Sequence, residues 1–352
     1  MLAAGVIRPC HSEYSSPVVI VNKKDGKSRF CVDYRRLNDK TRSEASPLPP
    51  IQESLRDLGR AHIFSTLDLR SGYWQIQMDA SSKQYTAFTT PGGAAYEFNV
   101  MLFGLKNAPT TFQKLMAQDV LVGYFRDFAI AYLDDIIIYS RDLSEHLRHL
   151  HQVLERLQQH GFRLNLEKCH FASTQLDYLG HVVTEEGNQR QTGHINAIKA
   201  AATPTTRKSL RQFLGTINWL RDYIPDASRI VAPLTDLLQT KTTFKWTESA
   251  HAAFNALKTV ASKPLFLYRP DLGKPFVLQT DASSIGAAGV LFQEEEGQRR
   301  IVSYSSLRFN KTEQRYHINE QECLAVVWAI KRYRPYLEYR PFLLRTDSKA
   351  LS

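Results

Sequence analysis

Hydrophobic residues recur with two different spacings along this chain, and the two spacings predict strands and helices respectively. β-Branched runs flank a Lys-Asp-Gly segment within residues 15–37, which predicts a two-stranded hairpin. Residues 46–59 combine a proline-rich entry with a short helical pattern that ends at Gly59. A strand is predicted around Asp68, and a helix is predicted to begin at Pro109. The chain is therefore expected to be a mixed α/β protein.

The most regular helical pattern covers residues 144–161 and ends at Gly161. Four leucines recur on one stripe of it, and this stripe is predicted to face a core: Leu147, Leu150, Leu154 and Leu157. The same segment carries three histidines, at His146, His149 and His151. Because no acidic residue or cysteine lies at ligand spacing from them, we expect these histidines on the solvated face rather than at a metal.

The second half of the chain changes character twice. Glycines bracket a polar stretch at residues 184–193, where we expect a hinge. Residues 206–261 have a mainly helical pattern, and strand-like runs return after residues 263–275. A helical pattern over residues 312–337 and a strand at 341–348 follow. Because few residues come after this last strand, we expect the final α/β domain to be partial.

Composition adds a hint about partners. At 352 residues the chain is long enough for two or three domains, and 43% of its residues are apolar. Lys and Arg number 45 against 35 for Asp and Glu, a net charge of +10. Basic clusters at residues 21–39 and 207–213 suit a phosphate-binding surface, although a generally basic surface explains the charge alone equally well. Four scattered cysteines argue against a disulfide scaffold or zinc ribbon, and no long apolar run predicts a membrane segment.

Two adjacent acids, Asp134 and Asp135, interrupt the apolar run FAIAYLDDIIIYS at residues 128–140. Taken alone, the pair is interpreted as a tight hairpin turn, because Asp tolerates left-handed backbone conformations. The apolar flanks would bury that turn, and buried carboxylates need a cation. Asp68, which lies between leucines at a predicted strand end, is a third candidate. Three convergent carboxylates would suit a pair of Mg²⁺ ions about 3.5 to 4 Å apart and phosphoryl transfer.

Five segments in order carry a family resemblance: TLDLRSGYWQI, FGLKNAPTTFQKLM, YLDD, GFRLNLEKCHF and YLGHVV. They resemble the reverse transcriptases of Gypsy-class long-terminal-repeat retrotransposons, relatives of the retroviral Pol polyprotein. With VDYRRLN before them and TDAS and TDS after them, the resemblance covers essentially the whole chain. It implies an α/β (α+β) fold with the fingers and palm of a right-hand polymerase at residues 1–187. A helical thumb or connection at 188–272 and a truncated ribonuclease H-like domain at 273–352 would follow.

The resemblance also implies roles for residues in the first half. The metal-binding triad falls on Asp68, Asp134 and Asp135, with Mg²⁺ as the cofactor and Mn²⁺ as an alternative. One ion would activate the primer 3′-hydroxyl, and the other would hold the triphosphate and neutralise the leaving pyrophosphate. Tyr73 matches a steric gate against ribonucleotides, although a plain core tyrosine fits its spacing as well.

Further positions match substrate-binding residues of the family. Leu102 stands where the family usually has proline. Residues 178–181 resemble the primer grip. The implied substrate contacts are Lys23, Lys24 and Arg29 on the triphosphate, Phe103 and Gly104 in the nucleotide and template pocket, and Lys168 near the pyrophosphate. The register of the two fingers lysines is ambiguous by one residue, and Lys168 is equally well interpreted as a solvated lysine.

Asp281, Glu322 and Asp347 match the metal-binding acids of the ribonuclease H domain in the same polyproteins. Glu322 lies on an apolar helix face, which favours a metal role over a solvated one, and Glu320 is the nearby alternative. The family places a fourth acidic ligand beyond Ser352, so we expect little or no ribonuclease H activity.

The sequence therefore predicts an RNA-directed DNA polymerase that acts by two-metal nucleotidyl transfer. Its expected partners are an RNA or DNA template–primer duplex and deoxynucleoside triphosphates, without a membrane. Its expected location is the cytoplasm, in a retroelement particle with possible access to the nucleus. The alternative is a catalytically silent, nucleic-acid-binding relic of a retroelement.

Overall fold

A computed structural model describes residues 1–22, 28–44, 51–58, 61–132, 135–239, 243–263 and 265–348. The chain divides into two compact units, Met1–Thr174 and Gln175–Ser352. Both units combine helices with sheets, which confirms the mixed α/β class. The domain limits placed at residues 187 and 272 stay a prediction.

The first unit is built mainly from short antiparallel strands. These strands are β1 (Ile7–Pro9), β2 (Val18–Asn22), β3 (Ser28–Val32), β4 (Ile63–Asp68), β5 (Phe88–Thr89), β6 (Ala95–Phe98), β7 (Ala129–Tyr132), β8 (Asp135–Ser140) and β9 (His170–Ser173). The α-helices are α1 (Arg35–Lys40), α2 (Ile51–Asp57), α3 (Ala108–Leu115) and α4 (Leu143–Gln159). Strands pair in the orders β1-β6-β5, β2-β3 and β7-β8-β4-β9.

The sheet β7-β8-β4-β9 forms the centre of this unit, and its neighbouring strands are antiparallel. Ile136, Ile137 and Ile138 of β8 are each at most 1% exposed. Because successive side chains of a strand point to opposite faces, both faces of β8 are buried. Phe112 of α3 and Val153 of α4 belong to the same apolar cluster as Ile136 and Ile138. The predicted strand at Asp68 and the helix with a proline in its first turn are confirmed.

Helix α4 is confirmed, but the face that it buries differs from the prediction. Asp142 caps its first turn by accepting a hydrogen bond from the Glu145 N–H at 2.8 Å. The buried residues of the helix are His146, His149, Val153 and Leu157. The predicted leucine stripe is wrong at Leu147, which is 57% exposed.

The placement of His146 and His149 on a solvated face is also wrong, since they are 0% and 8% exposed. Ser65 of β4 and Ser140 of β8 explain their burial. The Ser65 hydroxyl lies 2.6 Å from His146 Nε2, and the Ser140 hydroxyl lies 2.9 Å from His149 Nδ1. A buried imidazole is tolerated where such partners satisfy it. His151, on the other side of the helix, is exposed as expected.

The second unit combines a helical region with two sheets. Its strands are β10 (Leu176–Tyr178), β11 (His181–Val183), β12 (Gly187–Arg190), β13 (Phe266–Tyr268), β14 (Phe276–Ala282), β15 (Gly286–Glu295), β16 (Gln298–Arg308) and β17 (Phe342–Arg345). Its α-helices are α5 (Thr192–Lys199), α6 (Arg207–Asn218), α7 (Ala227–Asp236), α8 (Glu248–Ser262), α9 (Ile318–Arg332) and α10 (Arg334–Leu337). Strands pair in the orders β10-β11-β12-β13 and β16-β15-β14-β17.

The hinge expected at residues 184–193 is not observed, because this polar stretch contains β12. Strand β12 pairs with β11 on one side and with β13 on the other. Position 187 favours glycine because the backbone there lies directly against β13. A Cβ atom added at Gly187 would meet the carbonyl oxygen of Leu267 and the ring of Phe266. Glycine therefore allows a close strand approach rather than a flexible linker.

The last sheet has one parallel pair, β14 with β17, while its other neighbours are antiparallel. Leu278 and Leu291 on this sheet share an apolar cluster with Ala329 and Tyr333 at the end of α9 and just beyond it. Parallel strands have their carboxyl ends at the same edge, so β14 and β17 both end where α9 begins to cross the sheet. No helix among the described residues has both the length and the apolar character needed to cross a membrane.

Substitution of Gly187 tests the close approach of β12 and β13. Gly187→Ala should lower the free energy of unfolding by about 1–3 kcal/mol, because the new methyl group overlaps the neighbouring backbone. Gly215→Ala is the matched control, since Gly215 lies within α6 and has no neighbouring atom near the position of a Cβ. This control should gain about 0.5–1 kcal/mol from helix propensity. Urea unfolding of both variants measures the difference, and equal stability of the two would contradict the packing described for Gly187.

Candidate active site

Asp68 ends β4 and Asp135 begins β8, and the antiparallel register pairs these two residues directly. Side chains opposite each other on antiparallel strands share one face, so both carboxylates project from one point of the sheet. Their neighbours Leu67 and Ile136 are buried, at 1% and 0% exposure, and hold the strand ends in place. The structure thus brings together two members of the predicted triad. Its third member, Asp134, lies outside the described residues.

The electrostatics of this pair are unbalanced. Loss of solvent around the Asp135 carboxyl raises its pKa, and the negative charge of Asp68 raises it further. The positive charge of Lys168 lowers the same pKa, and Lys168 Nζ lies 3.5 Å from Asp68 Oδ2. Asp135 as a whole residue stays exposed, so a ligand can reach it. Among the described residues, Lys168 offsets only part of the charge of the two adjacent carboxylates, which suits a divalent cation with oxygen ligands.

A short 3-10 helix, Leu166–Lys168, carries Lys168 to this pair. The Asn165 N–H donates to the Asp68 carbonyl oxygen at 2.9 Å, and the Asp68 N–H donates to Cys169 Sγ at 3.4 Å. The backbone of Asp68 is therefore held by residues on both sides of Lys168. The contact of Cys169 with Asp68 was not predicted from the sequence. Its position next to Lys168 was the only feature that could have indicated it.

Tyr73 lies in a 3-10 helix, Gly72–Gln75, shortly after Asp68. It is 5% exposed, and its ring centroid lies 4.5 Å from that of Phe103 and 5.4 Å from that of Phe112. Phe103 itself is 39% exposed, so the aromatic stack runs from the core to the surface. Gly104 follows with a φ of +93°, a conformation that favours glycine. The structure thus places the three predicted pocket residues in one cluster.

A cavity of about 640 Å³ opens beside Asp68 and Lys168. Its wall includes Phe103, Trp74 and Tyr34. A cavity of this size lies within the range of small-ligand sites, which is about 300–1,000 Å³. Asp68, Lys168 and aromatic rings therefore border one space that a nucleotide-sized ligand can enter, and Asp135 is the cross-strand partner of Asp68.

The fingers residues are only partly described. Lys23 and Lys24 lie outside the described residues, as does the side chain of Arg29. The backbone of Arg29 belongs to β3, opposite Val21 of β2. Ser28 of the same strand borders the 640 Å³ cavity, so β3 runs along its wall.

The segment that resembles a primer grip, residues 178–181, forms the turn between β10 and β11 in the second unit. Leu179 and Gly180 at its tip both have positive φ, 49° and 81°. Two such residues in succession are typical of a tight hairpin turn of type I′. His181 is buried next to it, and its Nδ1 lies 3.1 Å from the Tyr223 hydroxyl.

A second acidic group lies in the second unit. Asp281 is near the end of β14, Glu322 is in the first half of α9, and Asp347 follows β17. Carboxylate oxygens of these residues all lie within 4.8 Å of one another, a group that could hold a metal ion. The parallel pairing of β14 with β17 explains the meeting of the two aspartates. Glu320, the alternative to Glu322, instead caps α9 by accepting a hydrogen bond from the His317 N–H at 2.9 Å.

Glu322 is the buried member of this group, at 6% exposure. Burial raises its pKa, and the charges of Asp347 and Asp281 raise it further, while a hydrogen bond from the Ala282 backbone lowers it. Among the described residues, no group bonds to its buried Oε2 atom. A carboxylate that has one orphaned oxygen and lies beside two further carboxylates fits a divalent cation, since such ions prefer oxygen ligands.

Family models match both units. Residues 21–183 match the model "Reverse transcriptase (RNA-dependent DNA polymerase)", and residues 246–344 match "RNase H-like domain found in reverse transcriptase". The chain is 38% identical over 353 residues to the retrovirus-related Pol polyprotein from transposon opus of Drosophila melanogaster. That alignment covers 96% of this chain and 35% of the relative. The transposon Tf2-3 polyprotein of Schizosaccharomyces pombe is 33% identical, with 99% of this chain and 26% of the relative covered. The chain thus spans about a third or less of the relatives' length.

Solved structures agree with these relatives. The foamy viral protease-reverse transcriptase dRH in complex with double-stranded DNA has a TM-score of 0.88 and 26% identity. That match covers 99% of this chain and 61% of the viral chain. The foamy viral protease-reverse transcriptase in complex with an RNA/DNA hybrid has a TM-score of 0.82 and 25% identity, covering 99% and 46% of the two chains. This chain therefore belongs to the retrovirus-related Pol polyproteins of retrotransposons, with a reverse transcriptase domain followed by an RNase H-like domain.

Proposed function

We propose that this chain is an RNA-directed DNA polymerase that transfers deoxynucleotides to a primer 3′ end. The observation that carries the proposal is the direct pairing of Asp68 with Asp135, where Asp68 and the neighbouring Lys168 border a nucleotide-sized cavity. The pair lies within the segment that matches the reverse transcriptase model. Nucleotidyl transfer requires stabilisation of negative charge on phosphate oxygens, and this arrangement suits that task.

Asp68, Asp135 and Asp134 would hold Mg²⁺, with Mn²⁺ as an alternative. The bound ions would supply Lewis-acid stabilisation of the phosphoryl group and of the attacking and leaving oxygens. The negative charge of Asp68, which adds to the effect of burial in raising the pKa of Asp135, supports this cation preference. Lys168 reaches the same space as a mobile positive charge and is suited to bind the leaving pyrophosphate.

The proposed substrates are a template–primer duplex and deoxynucleoside triphosphates. The net charge of +10 supports a phosphate-rich partner, and the foamy viral neighbours were solved with double-stranded DNA or an RNA/DNA hybrid. We assign Lys23, Lys24 and Arg29 to the triphosphate and Phe103 and Gly104 to the nucleotide and template pocket. A cytoplasmic retroelement particle is the proposed location.

A second candidate function belongs to the RNase H-like domain. We infer that Asp281, Glu322 and Asp347 bind a divalent cation, and the orphaned Oε2 of Glu322 favours this role. A bound cation of this kind supplies activation of water and of a phosphate ester. The reaction class that fits is hydrolysis of a nucleic-acid strand.

Removal of either paired carboxylate tests the polymerase proposal. Asp135→Asn and Asp68→Asn should each lower the rate of primer extension on an RNA template by about a hundredfold or more, because metal contacts supply several kcal/mol of charge stabilisation. Asp119→Asn is the control, since Asp119 is an exposed acid elsewhere in the same unit. Wild-type rate in a folded Asp135→Asn variant would refute the proposal. Salt-dependent duplex binding without extension by the wild type would favour the silent relic.

The match of Tyr73 to the steric gate of the family predicts discrimination against ribonucleotides, and the Tyr73 ring packs against Phe103 of the cavity wall. Tyr73→Ala should raise the kcat/KM for ribonucleotides relative to deoxynucleotides by about tenfold or more, because a steric barrier to the 2′-hydroxyl is removed. Tyr73→Phe keeps the ring and should keep the wild-type ratio. Single-nucleotide insertion kinetics measure both. An unchanged ratio in Tyr73→Ala would leave the residue with a packing role alone.

Glu322→Gln tests the second acidic group. A raised pKa means that the folded state holds this proton more tightly than the unfolded state, whose ordinary value is 4.5. The wild type should therefore lose stability as pH rises through the raised pKa, and the variant should lose less. In chelator at pH 7 the variant should melt at a higher temperature than the wild type. Added Mn²⁺ should raise the melting temperature of the wild type and leave that of the variant nearly unchanged; an equal rise in both would exclude the site.

A further inference from the structure

One buried imidazole lies between the two strands that carry the Asp68–Asp135 pair. His146 Nε2 lies 2.6 Å from the hydroxyl of Ser65 on β4, and His146 Nδ1 lies 2.9 Å from the hydroxyl of Ser140 on β8. The three side chains belong to buried residues, at 0%, 1% and 4% exposure. Helix α4 is thereby bonded to both strands through a single side chain.

The same network reaches the third strand. The Ala172 N–H of β9 donates to the Ser65 hydroxyl at 3.0 Å. The pairing of β4 with β9 is irregular between Phe64 and Thr66, the two neighbours of Ser65. A bulge interrupts the backbone ladder and leaves a strand less firmly held. The hydroxyl of Ser65 therefore supplies, at the irregular position, a link that the ladder does not provide.

These links lie on the strands that carry or follow the charged residues of the candidate site, toward the end of the β4–β8 ladder away from the Asp68–Asp135 pair. Ser65 precedes Asp68 on β4, Ser140 ends the strand that Asp135 begins, and Ala172 lies in the strand that follows Lys168. The strand ends that carry like charges repel each other. The backbone ladder of β4 and β8 opposes this repulsion, and the side-chain links hold α4 and β9 against the same two strands. A neutral imidazole suits this place because it has one donor and one acceptor on opposite sides of a rigid ring.

We propose that His146 is a positioning residue that fixes Asp68, Asp135 and Lys168 relative to one another through Ser65 and Ser140. The proposal rests on the polymerase function proposed above. His146 does not touch the reacting atoms; it holds in place the two strands that carry the carboxylates and, through Ser65, the strand that follows Lys168. Loss of a group bonded directly to a metal ligand lowers metal affinity or activity by about tenfold to a hundredfold, and His146, which acts through the strands, should give the lower end of this range.

The first experiment uses hydrogen exchange without metal or nucleic acid. His146→Ala should speed the exchange of amides in β4 and β9, above all that of Ala172, at a temperature where the protein is folded. Val153→Ala is the matched control, because Val153 is a fully buried residue of the same helix outside the network. Equal local exchange in the two variants would overturn the proposal. If His146→Ala does not fold, Ser65→Ala takes its place, since this smaller deletion removes the hydroxyl that bonds both His146 and Ala172.

The second experiment measures primer extension against Mg²⁺ concentration. His146→Ala should raise the Mg²⁺ concentration for half-maximal rate by about tenfold and lower kcat, with the Kd for primer–template within about twofold of wild type. Val153→Ala should keep the wild-type Mg²⁺ midpoint, because partial unfolding lowers the rate by the same factor at every Mg²⁺ concentration. An unmoved midpoint in His146→Ala overturns the positioning role. A wild type that extends no primer overturns the polymerase proposal instead, and hydrogen exchange then decides whether the network fixes the strands.

Discussion

The structure of the first unit depends on holding two negative charges side by side at the ends of adjacent strands. Asp68 and Asp135 repel each other, and nothing in their own chemistry favours the contact. The isoleucines of β8 supply the opposing free energy, because strands buried on both faces resist separation. Apolar burial thus stabilises a polar arrangement that would be unfavourable alone, as is usual where strain or like charge serves a function.

The second unit reaches a similar result with different elements. Parallel strands bring Asp281 and Asp347 to one sheet edge, and α9 adds Glu322 from an apolar face. The two sites differ in how far their negative charge is compensated. Lys168 partly offsets the charge of the first site, whereas Glu322 in the second keeps a carboxylate oxygen without a partner among the described residues. The second site is therefore expected to depend more strongly on a bound cation for its stability.

Local patterns in the sequence predicted the strands that carry Asp68 and Asp135, the helix that begins near Pro109 and the mixed α/β class. They failed where a residue's partner is far along the chain. His146 looked solvated because its hydrogen-bonding serines, Ser65 and Ser140, are on other elements. Gly187 looked like a hinge because its neighbour β13 comes about 80 residues later, after the whole helical region. Periodicity reports which face of a helix is apolar, but not whether a polar residue finds a partner inside.

The errors at His146 and Gly187 both concern how a strand is held at a point where regular backbone pairing is insufficient. At Gly187 the absence of a side chain lets β12 approach β13 closely enough to pair. At Ser65 the side-chain hydroxyl accepts a hydrogen bond from the Ala172 N–H. This bond replaces backbone pairing that is lost at the irregular position. In both cases the decisive residue is small, and its role follows from the neighbouring strand rather than from its own segment. The serines of β4 and β8 were therefore informative residues, because a hydroxyl buried in an apolar strand is costly without a hydrogen-bond partner.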